Sequence, residues 1–263
     1  LSAALEREAL LGQLVETAAL RRADTVKTAL LRAVSHDLRS PLTAISAAGE
    51  AIVSPSLSAE ERRELGTVII EESGRLSRLV ENLLDLSRLE AGAAEPRREL
   101  CSIEETIRTA LAELSVEPDE FHLTIDRDLP LVSFDPVQME RAFVNVLENA
   151  RHHSGGHSVS VRARAVNVRL IVRVVDRGPG IPPAQLERVF EPFYRAGRPQ
   201  EGQRGSGLGL AIARGFTEAN AGTLRVESLP GQGATFVFEL PLEGVPRSAS
   251  LAGEIATGGR GAP

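Results

Sequence analysis

Residues 145–149 read Asn-Val-Leu-Glu-Asn, residues 176–180 read Asp-Arg-Gly-Pro-Gly, and residues 205–209 read Gly-Ser-Gly-Leu-Gly. The first stretch lies in an apolar pattern of helical spacing, so Asn145 and Asn149 share one helix face. The second stretch ends a pattern of alternating apolar and polar residues, and the third opens another helix. This order predicts an α/β domain in which a helix face, a strand end and a glycine-rich loop meet.

The side chains in these stretches suit a nucleotide and a metal ion. The amide oxygen of Asn149 is a hard ligand of the kind that Mg²⁺ accepts, because this ion binds few protein groups plus phosphates. The carboxylate of Asp176 can accept a hydrogen bond from an exocyclic amine such as that of adenine. Gly178 and Gly180 permit close backbone approach, and a glycine-rich helix start favours an anion. Together they predict an ATP site.

Each stretch also has an ordinary interpretation when it is taken alone. Asn145 and Asn149 could form a polar helix face, and Asp176 could begin a simple Gly-Pro turn. The glycines from 205 to 209 follow no predicted strand, which argues against a dinucleotide-binding motif, and they lack the lysine of a Walker loop. The combination and its order therefore carry the prediction.

His36 lies on a predicted helix far upstream, in the run Ser-His-Asp-Leu-Arg-Ser-Pro of residues 35–41. A neutral imidazole is a competent nucleophile toward a γ-phosphoryl group, and its ordinary pKa near ~6.5 keeps it mostly neutral. Asp37 cannot stack on the ring, because adjacent helical side chains diverge, but it could accept a proton from the other ring nitrogen. An exposed histidine beside a solvated carboxylate is the alternative, and the ATP site downstream favours a phosphoacceptor.

Residues 1 to about 53 predict a long amphipathic helix that Pro41 bends rather than ends. Residues 54–58 break it, and Ser58 with Glu61 has the form of a capping box at the start of a second helix. The second helix has heptad-like apolar spacing. Because one hairpin cannot bury two such stripes, the sequence predicts a homodimer with a four-helix bundle.

The pattern changes to mixed helices and strands from Glu99 onward. Helices are predicted at 103–114, from Pro136 after an N-capping Asp135, and at 208–219; strands are predicted at 121–125, 158–165, 169–176, 223–228 and 234–240. The expected fold class is multidomain, α and α+β, with a dimeric helical hairpin followed by an α/β sandwich. The expected parts are an N-terminal signalling helix (1–24), the hairpin (25–93), a linker (94–99), the α/β domain (100–243) and a disordered tail (244–263).

Composition narrows the class of protein further. The 263 residues carry a net charge of −6, which argues against a nucleic-acid partner held by a basic surface. Cys101 is the only cysteine, so a disulfide framework is excluded and a reducing compartment fits. No apolar run reaches the ~20 residues that cross a bilayer, and no signal peptide follows Leu1. We expect a cytoplasmic fragment without membrane contact, and leave open that the complete protein is membrane-anchored.

From about residue 25 to residue 243 the chain resembles the bacterial two-component sensor histidine kinases. The resemblance rests on five motifs in order: an H box at His36, an N box at 145–149, the Asp-x-Gly-x-Gly turn, a Phe box at 190–193 and the Gly-x-Gly-Leu-Gly loop. It implies a dimerisation and phosphotransfer hairpin, an ATP-binding domain of the gyrase–chaperone–kinase (GHKL, or Bergerat) type, ATP and Mg²⁺ as ligands, and a response regulator phosphorylated on Asp as the partner. Residues 28–41 are more narrowly similar to the potassium-responsive Kdp sensor kinases.

The resemblance assigns roles by position. It implies His36 as the phosphoacceptor, Asp37 as its base, Asn149 as the Mg²⁺ ligand with Asn145 beside it, and Asp176 as the adenine contact. The residues implied to shape the pocket and line the phosphates are Gly178, Gly180, Gly205, Gly207, Leu208 and Gly209.

Two positions depart from the family pattern. Ser40 stands where the family often has Thr or Asn, a position tied to dephosphorylating the partner, so phosphatase activity is left open. His152, followed by His153, stands where Lys or Arg usually lies near phosphate. Arg151, or an arginine of a lid predicted over residues 195–204, could supply that charge instead.

Two other functions stay open at this point. An ATP-driven clamp of the same superfamily would need a carboxylate to activate water where this chain has Asn145, so hydrolysis is disfavoured. A catalytically weak scaffold, or a sensor dominated by phosphatase activity, could dock a response regulator. The intact asparagines and glycines argue against a scaffold.

Overall fold

The computed structural model describes residues 38–114, 116–117, 119–195 and 206–242. In this part of the chain a helical hairpin precedes a two-layer α/β domain, as the sequence predicts. The predicted features that lie outside the described residues are the signalling helix at 1–24, His36, Asp37, most of the lid, Gly205 and the tail at 244–263. Among the described residues, no helix is both long and apolar enough to cross a bilayer.

The hairpin consists of α1 at residues 38–52 and α2 at Ala59–Glu90. The first helix runs through Pro41 without ending, as predicted. The predicted capping box opens α2: the Ser58 hydroxyl accepts from the Glu61 amide at 3.2 Å, and the Glu61 carboxylate accepts from the Ser58 amide at 2.8 Å. Arg62 also donates to the Ile52 carbonyl at 2.8 Å, which ties the start of α2 to the end of α1.

The α/β domain comprises β1 (Glu99–Cys101), α3 (Ile103–Glu113), β2 (Phe121–Ile125), β3 (Val132–Phe134), α4 (Pro136–His153), β4 (Val159–Val166), β5 (Arg169–Val175), α5 (Gly209–Ala219), β6 (Thr223–Ser228) and β7 (Ala234–Pro241). Five strands form one sheet in the order β2-β4-β5-β7-β6. Strand β2 runs parallel to β4, and the other neighbours are antiparallel. Strands β1 and β3 form a separate antiparallel ribbon that the sequence did not predict, because three residues are too few to show alternation.

The domain core lies between one face of the sheet and the helices α3, α4 and α5. Phe143 of α4 packs on Phe238 of β7 with ring centroids 4.6 Å apart, and neither side chain reaches solvent. Along β5 the residues Leu170, Val172 and Val174 are fully buried, and those between them are more exposed, as alternation requires. The helices that carry the candidate site are therefore fixed against a rigid sheet.

The segment predicted as a linker is hydrogen-bonded to the α/β domain. The Arg97 amide donates to Asp135 Oδ2 at 2.8 Å, and Gln138 Nε2 donates to the Ala94 carbonyl at 3.2 Å. Strand β1 begins at Glu99, the last residue of the predicted linker. The chain between Ala94 and Glu99 is thus attached to the start of α4.

Candidate nucleotide-binding site

Helix α4 presents the two asparagines from a rigid base. Asp135 caps the helix, since its Oδ1 accepts from the amides of Val137 at 3.0 Å and Gln138 at 3.1 Å, with proline at the first helical position. The amide groups of Asn145 and Asn149 are partly exposed and form no hydrogen bond with another described residue. Two polar groups on one face of a buried helix are thus available to a ligand.

Asp176 follows the end of β5 and is held in one orientation. Its side chain is buried, with 3% of its surface exposed. Its Oδ1 accepts from the Gly178 amide at 2.8 Å and the Ala234 amide at 3.1 Å. Both hydrogen bonds fall on the same oxygen, so Oδ2 is the acceptor that a ligand amine could reach.

The two glycines after Asp176 lie where no side chain fits. A Cβ on Gly178 would lie 2.3 Å from the His153 carbonyl oxygen at the end of α4. Gly180 has a φ of +74°, and a Cβ there would lie 2.1 Å from the Leu229 carbonyl oxygen. The turn is therefore held between α4 and the β6–β7 turn by backbone-to-backbone contact.

The glycine-rich loop brings the start of α5 to the asparagines. A Cβ on Gly209, the first residue of α5, would lie 2.8 Å from Asn145 Oδ1. Gly207 has a φ of +70°, which a residue with a side chain rarely adopts. Leu208 is fully buried, so only its backbone could face a ligand. The free amides at the start of α5 thus point to an anion site next to Asn145.

The Phe box packs under this loop. Phe190 is buried and meets Phe236 of β7 edge-on, with centroids 6.4 Å apart. The Phe193 amide donates to the Gly207 carbonyl at 2.8 Å. The aromatic segment therefore anchors the start of the predicted lid to the loop and to the sheet.

Two histidines occupy the end of α4, where the family resemblance implies a cation. The rings of His152 and His153 meet edge-on with centroids 5.0 Å apart. Partial loss of solvation lowers the pKa of His153, positive charge on His152 lowers it further, and the Asp176 carboxylate opposes both. Arg151 is engaged elsewhere, with the Leu114 carbonyl at 3.4 Å and Glu120 at 3.8 Å. The alternative that Arg151 supplies the missing charge is therefore not supported.

Sequence reasoning missed two residues that support Asp176. Ser228 Oγ accepts from the Ile181 amide at 2.8 Å and donates to the Gly233 carbonyl at 2.6 Å. Gly233 has a φ of +77°, and a Cβ there would lie 2.1 Å from the Asp176 carbonyl oxygen. Gly233 lies in the Pro-Gly-Gln-Gly turn between β6 and β7, and that turn packs directly against the end of β5.

Helix α2 of the hairpin packs beside the candidate site. Arg141, one turn before Asn145, binds Asp85 at 2.9 Å and Glu81 at 3.3 Å. Asp85 is buried, and this burial raises its pKa although the positive charge of Arg141 opposes the rise. At the end of α2, a Cβ on Gly215 of α5 would lie 2.7 Å from Leu89 Cδ1. The hairpin therefore contacts both helices that frame the site, which no motif in the sequence indicated.

Comparison with known proteins assigns both parts of the chain. A family described as "His Kinase A (phospho-acceptor) domain" matches residues 26–92, and one described as "Histidine kinase-, DNA gyrase B-, and HSP90-like ATPase" matches residues 134–244. Between them the two families match more than half of the chain. Fold and site thus define a phosphoacceptor hairpin joined to an ATPase-type domain.

Individual relatives agree with this assignment. Sensor protein KdpD of Mycobacterium tuberculosis is 36% identical over 230 residues, which are 84% of this chain and 27% of that protein. The solved histidine kinase AdeS of Acinetobacter baumannii shares the fold, with a TM-score of 0.62 and 22% identity over 80% of this chain and 98% of that chain. Full-length ShkA, solved in complex with AMPPNP, has a TM-score of 0.59 and 29% identity over 79% of this chain and 44% of that chain. The chain belongs to the sensor histidine kinase family, and it spans about a quarter of the length of the KdpD relatives.

Proposed function

We propose that the chain is the cytoplasmic catalytic core of a longer sensor kinase, that it transfers the γ-phosphoryl group of ATP to His36, and that it then passes the group to an aspartate of a response regulator. The observation that carries this proposal is the juxtaposition of Asn145, Asn149, Asp176 and the start of α5, each with a polar group free for a ligand. The similarity to KdpD supports the Kdp subfamily among the sensor kinases.

Different residues bind different parts of the nucleotide. Oδ2 of Asp176 accepts from the adenine amine, while Gly178 and Gly180 keep side chains out of the base pocket. The loop around Gly207 and the α5 amides receive the phosphates. His152 and His153, at the end of α4, supply donors where the family has a cation.

Asn149 fits a magnesium site, with Asn145 beside it. Both amide oxygens are free of hydrogen bonds to described residues, and Mg²⁺ takes few protein ligands besides water and phosphate. When bound there, the ion would neutralise charge on the phosphates. Within the described ranges, no cluster of three or more His, Cys, Asp or Glu side chains could hold a metal ion.

Phosphoryl transfer to His36 needs a nucleophile, whereas hydrolysis of ATP would need an activated water molecule. An imidazole nitrogen of His36 attacks the γ-phosphorus in line, the bond to the β–γ bridging oxygen breaks, and ADP leaves with that oxygen. Asp37 accepts the proton from the other ring nitrogen. Asn145 carries an amide, which cannot act as the base that hydrolysis requires, so transfer is favoured over hydrolysis. Ser40, which is exposed on α1, would act in a separate reaction, in which its hydroxyl orients water for hydrolysis of the phosphoryl group on the response regulator.

The exposed apolar residues of the hairpin support a homodimer. Large side chains left open to solvent on the two helices are Leu42, Val68, Ile70, Val80 and Leu84. Ile70, Val80 and Leu84 share one face of α2, and a second copy that presents the same face would bury them in a four-helix bundle.

The test is labelling with γ-labelled ATP and Mg²⁺. Wild-type protein should gain an acid-labile, base-stable label that disappears in His36→Gln and in Asn149→Ala. Asn149→Ala should also weaken binding of magnesium ATP more than binding of ATP in the presence of a chelator, because it removes a metal ligand.

Matched variants separate these effects from misfolding. His157→Gln changes an exposed histidine outside the site and should label like wild type. A wild type that binds magnesium ATP but takes up no label would overturn the kinase proposal in favour of a scaffold. A label that survives His36→Gln would assign the acceptor to another residue.

A further inference from the structure

The face of the sheet that points away from the helices carries a cluster of arginines. Alternation and register place on this outer face Arg162 and Arg164 of β4, Arg169 and Arg173 of β5, and Arg225 of β6. All are exposed except Arg173, which is half-buried. Glu227 and Glu239 are the only carboxylates among the outward-facing residues of these strands and β7. The face is thus positive on a chain whose net charge is −6.

Three of the arginines share these two carboxylates. Arg173 and Arg225 both contact Glu227, and Arg225 also meets Glu239 at 3.2 Å. Arg169 lies 3.7 Å from Glu239. These pairs neutralise the β5–β7–β6 side of the face in part.

The two arginines of β4 are not neutralised. Neither Arg162 nor Arg164 lies within ion-pair distance of a carboxylate of the described residues. Arg162 is also directly opposite Arg173 in the β4–β5 register. Like charges in that position destabilise a sheet, and on the Arg173 side Glu227 offsets part of this cost.

The chemistry of the face favours phosphate groups as its ligand. Guanidinium groups bind phosphate oxygens in pairs, and sheet geometry spaces these groups by about 4.8 Å across strands and about 7 Å along them. The face offers no aromatic side chain, whereas protein interfaces and single-stranded nucleic acids depend on such anchors. Val237, in its centre, is fully buried, in register between Arg173 and Arg225.

Against the expectation from composition that this fragment makes no membrane contact, we propose that the arginine face docks on a bilayer surface through the phosphates of anionic lipid headgroups. The nucleotide site and the contact with α2 lie on the helical side of the domain, so docking leaves both free. The arginine face is distinct from the nucleotide site. A test of lipid binding therefore does not depend on whether the protein transfers a phosphoryl group.

Flotation of the 263-residue protein with vesicles tests it. Vesicles of phosphatidylglycerol and phosphatidylcholine in equal parts should carry the wild type, vesicles of phosphatidylcholine alone should not, and added salt should release it. Since a basic residue near such a surface contributes about a fivefold gain in partition, Arg162→Gln with Arg164→Gln should weaken it roughly thirty-fold.

The control is a second double variant, Arg108→Gln with Arg127→Gln, which removes the same charge away from this face. It should partition like the wild type, and equal losses in the two variants would overturn the proposal, because net charge alone would then explain binding. Thermal unfolding of Arg162→Gln/Arg164→Gln should show no loss of stability, since the like-charged neighbour is removed. Equal flotation with neutral vesicles would also overturn it.

Fluorescence anisotropy tests two other classes of partner for this face. A labelled DNA duplex stands for a nucleic acid, and a labelled polyglutamate peptide stands for an acidic protein. Binding of either probe that requires Arg162 and Arg164, without flotation on anionic vesicles, would reassign the face to a nucleic acid or to an acidic protein. Flotation with weak, salt-sensitive binding of both probes supports the lipid surface.

Discussion

The α/β domain and the hairpin bury their apolar residues in different ways. Within the domain, Phe143, Leu147, Phe236 and Phe238 lose all contact with solvent inside one chain. In the 32 residues of α2, only Leu79, Asp85 and Leu86 are buried, while Ile70 stays 74% exposed. The domain thus contains its own core, whereas we propose that the hairpin completes its core with a second copy. The stability of the α/β domain should not depend on protein concentration, whereas the stability of the hairpin should.

The largest effect is expected where the domain core is self-contained. Phe143→Ala removes a fully buried ring that packs on Phe238 and should lower the free energy of unfolding by about 3–5 kcal/mol. Urea unfolding followed by circular dichroism measures the change. Val168→Ala, at a residue 66% exposed, is the control and should stay within about 0.5 kcal/mol of wild type. Similar small effects of both substitutions would contradict a self-contained core.

A smaller effect of a different kind is expected in the hairpin. Ile70→Glu should leave the α/β domain intact but raise the dimer dissociation constant roughly a hundred-fold, because an isoleucine buried between copies becomes a charge. Sedimentation velocity over a concentration series measures this constant. Val168→Glu places the same charge on an exposed residue of the α/β domain and should leave it unchanged. A dimer that tolerates Ile70→Glu would show that α2 finds its partner elsewhere.

The smallest effect is expected where the two regions meet. Arg141→Gln removes the cation from the buried Asp85 and should cost about 1–2 kcal/mol at neutral pH. Burial raises the pKa of Asp85, so its ionised form is disfavoured in the folded protein, and without Arg141 the pKa rises further. The cost should therefore shrink as the pH falls through the pKa of Asp85 and the carboxyl becomes protonated.

Urea unfolding of wild type and Arg141→Gln across a pH series measures this trend. Arg108→Gln, which removes an exposed arginine that lies 2.7 Å from Glu104 on α3, is the control and should cost little at any pH. A cost of Arg141→Gln that grows on acidification would refute the assigned role of Asp85.

Most of the fold could be predicted because its signals are local. The capping box at Ser58, the Asp135-Pro136 start of α4 and the strand alternation each depend on neighbouring residues, and all are present in the structure. The β1–β3 ribbon could not be predicted, because it forms by pairing residues more than thirty positions apart. For the same reason, the attachment of residues 94–97 to α4 and the contact of Arg141 with Asp85 have no sequence signature.

The residues of the candidate site also differ in whether the sequence alone could predict them. Asn145, Asn149, Asp176 and the glycines were predicted from residue chemistry and spacing, and their roles in binding stay predictions. The supports of Asp176 were missed, since Ser228 and Gly233 reach it only through the β6–β7 turn. The availability of its Oδ2 also became visible only when both backbone donors were seen on Oδ1.

The sequence by itself determined the type and order of the elements and the family motifs, because periodicity, capping and side-chain chemistry are properties of short stretches. It also predicts that the hairpin pairs with a second copy. Only the tertiary structure decided that Gly209 lies against Asn145, that α2 borders the nucleotide site, and that five arginines share one open face. Those arrangements depend on strand register and helix packing, which join residues distant in the chain and therefore leave no local pattern to interpret.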